Sequence, residues 1–277
     1  MKRKVYEQLL EWKSREHHKP LILNGVRQCG KTYILKEFGR QEFDSLAYVS
    51  CDRNVNLQAI YSGDFDVARI IQGLSALTGV DIIPGKTLIF LDEVQAFPQA
   101  LEALKYFCED APEYHIVVAG SLLGVALHAG VSFPVGKVQT LRLFPMDFEE
   151  FLMAMGEKQL LKLMHSHDYE LMNAFHEKLK DLLRQYYYVG GMPEVVKAFV
   201  ENKLLNQVRS LQNEILSNYA SDFSKHAPSQ EVPRIDMVWQ SILGQLSKEN
   251  KKFVYGVLKK GGRAKEFELA IQWLVAS

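Results

Sequence analysis

The sequence predicts an α/β fold: a five-stranded parallel sheet with helices on both faces, followed by an all-helical region. Three observations predict it. The run Gly25-Val26-Arg27-Gln28-Cys29-Gly30-Lys31-Thr32 fits G-x-x-x-x-G-K-[ST] without a mismatch and lies between an apolar strand-like run and a helix-like one. Thr87-Leu88-Ile89-Phe90-Leu91 is a mostly apolar run without alternation, which suits a central parallel strand covered on both faces, and it ends in Asp92-Glu93. Past Pro145 the periodicity becomes helical throughout.

Composition agrees with a folded chain of one to two domains. Of 277 residues, 47% are apolar and 24% charged, which is ordinary for a soluble globular protein. Lys plus Arg and Asp plus Glu both number 33, so nothing draws the whole chain toward nucleic acid or membrane, and any such surface must be local. The three cysteines, Cys29, Cys51 and Cys108, lack metal-ligand spacing and argue for a reducing compartment. Met1-Lys2-Arg3-Lys4 is basic, but no apolar stretch of signal-peptide type follows it. No window approaches a membrane span. The expected location is therefore cytoplasmic.

Taken in order, residues 3–16 predict an amphipathic helix packed beside the sheet, with Val5, Leu9, Leu10 and Trp12 on its apolar side. Pro20 to Asn24 predicts the first strand, and the helix after the glycine run begins near Tyr33. In such a loop the glycines let the backbone N–H groups converge on a phosphate, and the helix N-terminus adds positive potential. Lys31 can reach the β- and γ-phosphates of ATP, and the Thr32 hydroxyl can bind Mg²⁺. Residues 45–50 predict a second strand, 54–61 and 65–78 helices, and 87–91 the third strand. Ligands of parallel sheets bind at the carboxyl ends of the strands, which sets Asp92 and Glu93 beside the phosphates. Asp92 would hold Mg²⁺, and Glu93 would orient or deprotonate the attacking water. Residues 99–109 predict a helix and His115 to Ser121 the fourth strand. Ser121 has two readings, a contact to the γ-phosphate or the water, and an N-cap of the next helix. Val138 to Leu143 predicts the fifth strand.

Helices are then expected over 147–155, 159–166, 169–188, 193–201, 204–223, 233–247 and 266–276, with Gly190-Gly191-Met192-Pro193 as a break. The change in pattern predicts a boundary near residue 150. Lys248 to Lys265 carries seven basic residues against one acid, Glu249, and reads either as a solvated face or as a contact for a DNA backbone. Tyr186-Tyr187-Tyr188 is expected to pack internally.

The order of motifs resembles the AAA-type ATPases of bacteria and archaea whose ATPase core is followed by a domain of unknown function. The resemblance is carried by Asn24 to Thr32, Phe90 to Gln95, Ala119 to Leu123, Pro134 to Val138, Leu143 to Phe151, Gly190 to Glu194 and Tyr219 to Phe223, nearly the whole chain. It implies an AAA-like P-loop NTPase core over 1–150, a helical lid over 151–228 and a partial winged-helix-like domain over 229–277. It assigns Lys31 and Thr32 to phosphate and Mg²⁺, Asp92 and Glu93 to the metal and the water, and Ser121 to a sensing position. Relatives often carry Arg where this chain has Lys137, and lysine is a point charge without the bidentate fork, so Lys137 is not assigned as a finger. Arg27, Arg142 and Arg263 stay open for that role. Relatives also continue past the position of Ser277, so the resemblance implies a C-terminally shortened member.

Three functions fit these residues: a Mg²⁺-dependent ATPase that drives a change in a partner protein or nucleic acid, an ATP-switched regulatory module with slow turnover, and a small-molecule kinase. Paired Asp92-Glu93 favours hydrolysis over phosphoryl transfer, because a carboxylate beside the metal ligand can activate water. The expected partners are ATP, an unidentified protein, DNA through Lys248–Lys265, and further copies of the chain.

Overall fold

The computed structural model describes residues 1–52, 54–63, 65–120, 134–250 and 252–276. The chain forms two compact units, Met1–Arg209 and Ser210–Ser277. In the first, five strands alternate with helices: α1 (Val5–Ser14), β1 (Leu21–Asn24), α2 (Lys31–Glu42), β2 (Ser45–Ser50), α3 (Asn56–Ile60), α4 (Val67–Thr78), β3 (Thr87–Asp92), α5 (Gln99–Asp110), β4 (His115–Gly120) and β5 (Gln139–Arg142). The strand order is β2-β3-β4-β1-β5, and every pairing is parallel.

Parallel strands need crossovers, and the crossovers cover both faces. Leu21, Leu23, Phe90, Val117 and Ala119 face a core shared with Val5, Leu9 and Trp12 of α1 and Ile34, Leu35 and Phe38 of α2. Ile22, Ile89, Leu91, Ile116 and Val118 face the other core, filled by Leu57, Ile70, Leu74, Leu101, Leu104 and Phe107 of α3, α4 and α5. Adjacent residues of one strand thus feed opposite cores, which explains the absence of alternation in β3 and β4: all six positions of each are buried. Helix α1 does pack beside the sheet, but Leu10, expected on its apolar side, is 39% exposed. At 3.6 residues per turn, position 10 sits about 100° from Leu9 and leaves the stripe held by Val5, Leu9 and Trp12.

After the sheet come α6 (Phe148–Ala154), α7 (Lys158–Ser166), α8 (Tyr169–Ala174), α9 (His176–Val189) and α10 (Pro193–Asn202). Asp147 caps α6 in a capping box with Glu150. The single helix expected over 169–188 is broken at Phe175, whose φ of −105° and ψ of 11° interrupt the α geometry between α8 and α9. Tyr186 packs between Phe148 and Phe151 as expected, whereas Tyr187 is 75% exposed because consecutive helical residues point in different directions.

Helix α11 (Leu205–His226) passes from the first unit into the second, which continues through α12 (Val232–Leu246) and α13 (Ala264–Ala276). Among its described residues the second unit contains no strand. Its core is aromatic: Trp239 stacks on Tyr219 at 5.8 Å, and Phe223 meets Trp239 and Trp273 edge-on. The buried Gln245 amide brackets Val254, donating to its carbonyl at 3.0 Å and accepting from its N–H at 3.0 Å. Among the described residues, no helix is long and apolar enough to cross a membrane.

Candidate functional site

The site lies at the carboxyl ends of β1 and β3. Strand β1 is flanked by β4 and β5, with Asn24 level with Gly120 and Arg142. Residues 25–30 leave that edge and deliver the chain to α2. Gly25 sits so close to the next strand exit that a Cβ there would lie 2.3 Å from the Leu143 carbonyl. Gly30 has φ 95°, the left-handed region that glycine enters without penalty, and it caps α2. Gln28 is also left-handed, with φ 60°.

Lys31, the first residue of α2, is buried, and its Nζ donates to the Gly25 and Val26 carbonyls at 2.7 and 3.0 Å. Burial holds its ammonium below the usual lysine range, against the opposing pull of neighbouring negative charge that includes Glu93 and Asp92. The adjacent Thr32 hydroxyl donates to Asp92 Oδ2 at 2.8 Å. The Asp92 carboxylate also accepts from the Tyr48 hydroxyl at 3.3 Å and from the Glu93 N–H at 3.1 Å. Burial raises the Asp92 carboxyl above its ordinary value, and the Thr32 bond opposes that shift. Tyr48 is pushed up to about 12 by burial and by the charge of Asp92.

Glu93 follows with φ 52°, a left-handed conformation that is uncommon away from glycine and recurs at functional sites. One of its carboxylate oxygens accepts from the Gln95 side-chain amide. A cavity of about 280 Å³ is lined by Arg27, Gln28, Gly30, Lys31, Thr32, Tyr33, Glu93 and Glu194. A second, more apolar cavity of about 400 Å³ shares Gly30, Tyr33 and Glu194 with it and is bounded by Met1, Ile34, Pro193 and Val200.

The residues expected at the site thus fall at one place: Lys31 and Thr32 from the loop, Asp92 and Glu93 from the end of β3. Cys29 is buried within the loop, and burial pushes its thiol up. Ser121 lies outside the described residues, as does Lys251 of the basic run. Lys137 is ion-paired with Glu109 at 2.8 Å. Of the arginines left open, Arg27 lines the smaller cavity and Arg142 lies over the Phe144 ring, while Arg263 belongs to the second unit. Sequence reasoning missed Gln95, Glu194 and Arg3. Gln95 and Glu194 stand within motifs already singled out, but nothing in a linear reading sets Gln95 on the Glu93 carboxylate or Glu194 beside the loop.

A glycine loop between a parallel strand and a helix, with its threonine bonded to a strand-end aspartate, defines the P-loop NTPase class. Within that class, residues 17–152 match the family model of an AAA domain and residues 180–277 match that of a domain of unknown function (DUF8612). The chain thus carries an AAA-type P-loop domain followed by a C-terminal domain of unknown function. No curated protein matches it significantly. Among solved structures it is similar to the Walker-type ATPase PABY2304 of Pyrococcus abyssi, with 14% identity, a TM-score of 0.57, and 99% of this chain and 89% of that one covered. A weaker likeness, with 13% identity and a TM-score of 0.43, is to Drosophila ORC bound to DNA, covering 98% of this chain and 78% of that one.

Proposed function

We propose that the protein is a Mg²⁺-dependent ATPase that couples nucleotide state to a conformational change in a partner. The observation that carries this reading is the 2.8 Å bond from Thr32 to Asp92 beside a buried Lys31. A hydroxyl and a carboxylate already in contact at a strand end are the oxygen donors that a hard divalent cation selects. Thr32 and Asp92 would hold Mg²⁺, which when bound neutralises charge on the phosphate oxygens. The Lys31 ammonium rests on loop carbonyls and can exchange them for phosphate oxygens. The N–H groups of 25–32 would cradle the phosphates of ATP, and the apolar cavity beside Tyr33 and Ile34 suits the adenine base. Glu93 would take the proton of the attacking water.

The deciding measurement is Mg-ATP titration of the parent and of Lys31→Ala. The parent should bind, and K31A should lose tight binding because the β- and γ-phosphates lose their cation. Equal affinities would overturn the assignment.

One observation favours a second reading, a switch with slow basal turnover. The Gln95 amide occupies a Glu93 carboxylate oxygen that water activation would need. On this reading Gln95→Ala raises the basal hydrolysis rate several-fold, and a partner acts by releasing the same contact. A Q95A rate equal to or below that of the parent would discard the switch and leave the ATPase.

A further inference from the structure

Arg3 lies outside both phosphate motifs, yet its buried side chain joins three parts of the first unit. Its Nη1 donates to the Cys29 carbonyl at 2.9 Å, inside the phosphate loop. Its Nη2 donates to the Phe144 carbonyl at 2.6 Å, just past β5. Its Nε stands 3.1 Å from Glu150 Oε1, an ion pair without hydrogen-bond alignment, with both side chains 6% exposed.

Glu150 is fully engaged. Its Oε1 also accepts the Lys4 N–H at 2.7 Å, and its Oε2 closes the capping box of α6 by accepting the Asp147 N–H at 3.3 Å. The contacts continue toward α10. The Met146 N–H donates to the Gly191 carbonyl at 2.7 Å, and the Tyr186 hydroxyl donates to the Met146 carbonyl at 2.9 Å. A Cβ on Gly191 would lie 2.2 Å from the Met146 oxygen, so only glycine permits this approach. Gly191 leads directly into Pro193 and Glu194, which border the cavities beside the loop.

Burying an ion pair is a poor route to stability, since apolar replacements of similar volume often do as well. What a guanidinium with three separate partners supplies is geometry, and a lysine cannot reproduce that planar fork. In a trans peptide the carbonyl and the following N–H lie in one plane and point in opposite directions. Holding the Cys29 oxygen therefore also fixes the direction of the Gly30 N–H, one of the groups assigned above to phosphate.

We propose that Arg3 is a positioning residue that couples the phosphate loop, through Phe144 and Glu150, to the Gly191 turn and α10, so that nucleotide at the loop changes the stability of residues 190–202. The inference rests on the ATPase reading. Hydrogen exchange of the full chain, with and without Mg-ATP under non-turnover conditions, tests both separately. In the parent, Mg-ATP should protect residues 25–32 and, at a distance, 190–202. In Arg3→Met, Arg3→Lys and Glu150→Gln the loop should still be protected at saturating nucleotide, while protection of 190–202 is lost. In steady state, E150Q should lower kcat roughly tenfold with KM for ATP changed by less than about threefold, the split expected when positioning is lost and binding is kept.

Absence of loop protection in the parent would overturn the ATPase reading and this inference with it. Loop protection accompanied by parental protection of 190–202 in the variants would overturn the coupling alone. R3K and E150Q keep the test open where R3M fails to fold, and full coupling in R3K would show that charge without the fork is sufficient, contrary to the proposal.

Discussion

Asp92 and Glu93 are neighbours in the chain with different surroundings, and the difference predicts different phenotypes. Asp92 is buried and shared by Thr32 and Tyr48, whereas Glu93 turns through a left-handed conformation toward the cavity. Glu93→Gln keeps the shape but removes the base, so Mg-ATP should bind near parental affinity while single-turnover hydrolysis falls by about 10²-fold or more. Asp92→Asn should instead shift the Mg²⁺ concentration needed for half-maximal binding upward. Parental turnover in E93Q would move water activation to another residue. The convergence of Lys31, Thr32, Asp92 and Glu93 was legible because each motif is contiguous and its chemistry is local. Arg3 and Glu150 were not: they are distant in sequence, each is an ordinary charged residue among others, and their segments meet only in the folded chain, where β1 and β5 are paired.

Elements show the same limit. Strands β3 and β4 could be read from the sequence because burial on both faces leaves an unbroken apolar run. The break at Phe175 could not, since helical spacing continues across it and no glycine or proline marks it. Nor could the packing at the amino-terminal end of the central strands. There His115, the first residue of β4, stacks on His18 with ring centroids 3.8 Å apart, enclosed by Trp12 and Phe43. Burial and the neighbouring charge of His18 depress the His115 imidazole from 6.5 to about 4. Such a histidine takes up a proton on unfolding throughout that interval, so acid favours the unfolded chain. Its neutral form is fully compatible with the fold above pH 6.5, and stability is lost as pH falls toward 4. His115→Phe should remove on the order of 3 kcal/mol of this pH dependence, read as a flatter plot of unfolding free energy between these limits. An unchanged slope would exclude His115 as its source.

At the scale of the whole molecule, neutral net charge conceals a local excess. In the second unit Lys252, Lys260, Arg263 and Lys265 are exposed, and Lys259 is paired with Glu266 at 2.8 Å. We expect weak, sequence-indifferent binding of duplex DNA by this surface, with affinity falling steeply as salt rises. Lys252→Ala or Lys260→Ala should each lower the salt slope by about one unit. Lys259→Ala should change it less, because part of that charge is already neutralised. The ATP affinity of these variants should match that of the parent. Salt-independent binding, or none, would return the run to a solvated face and leave a protein as the expected partner.

The strand order has a consequence for how the protein comes into being. β1 carries the phosphate loop, but its hydrogen-bonded neighbours are β4 and β5: Leu21 pairs with Val117 on one side and Gln139 on the other. Neither neighbour exists when the loop leaves the ribosome. The strands synthesised soonest after β1, β2 and β3, pair with one another and reach it only through β4. Contacts of such long sequence separation close late and slow folding. The nascent loop therefore waits, with the hydrogen-bonding edges of its strand unpaired, until β5 has emerged. During synthesis the nucleotide site is among the last parts of the sheet to be completed, and that interval is when the chain is most exposed to aggregation.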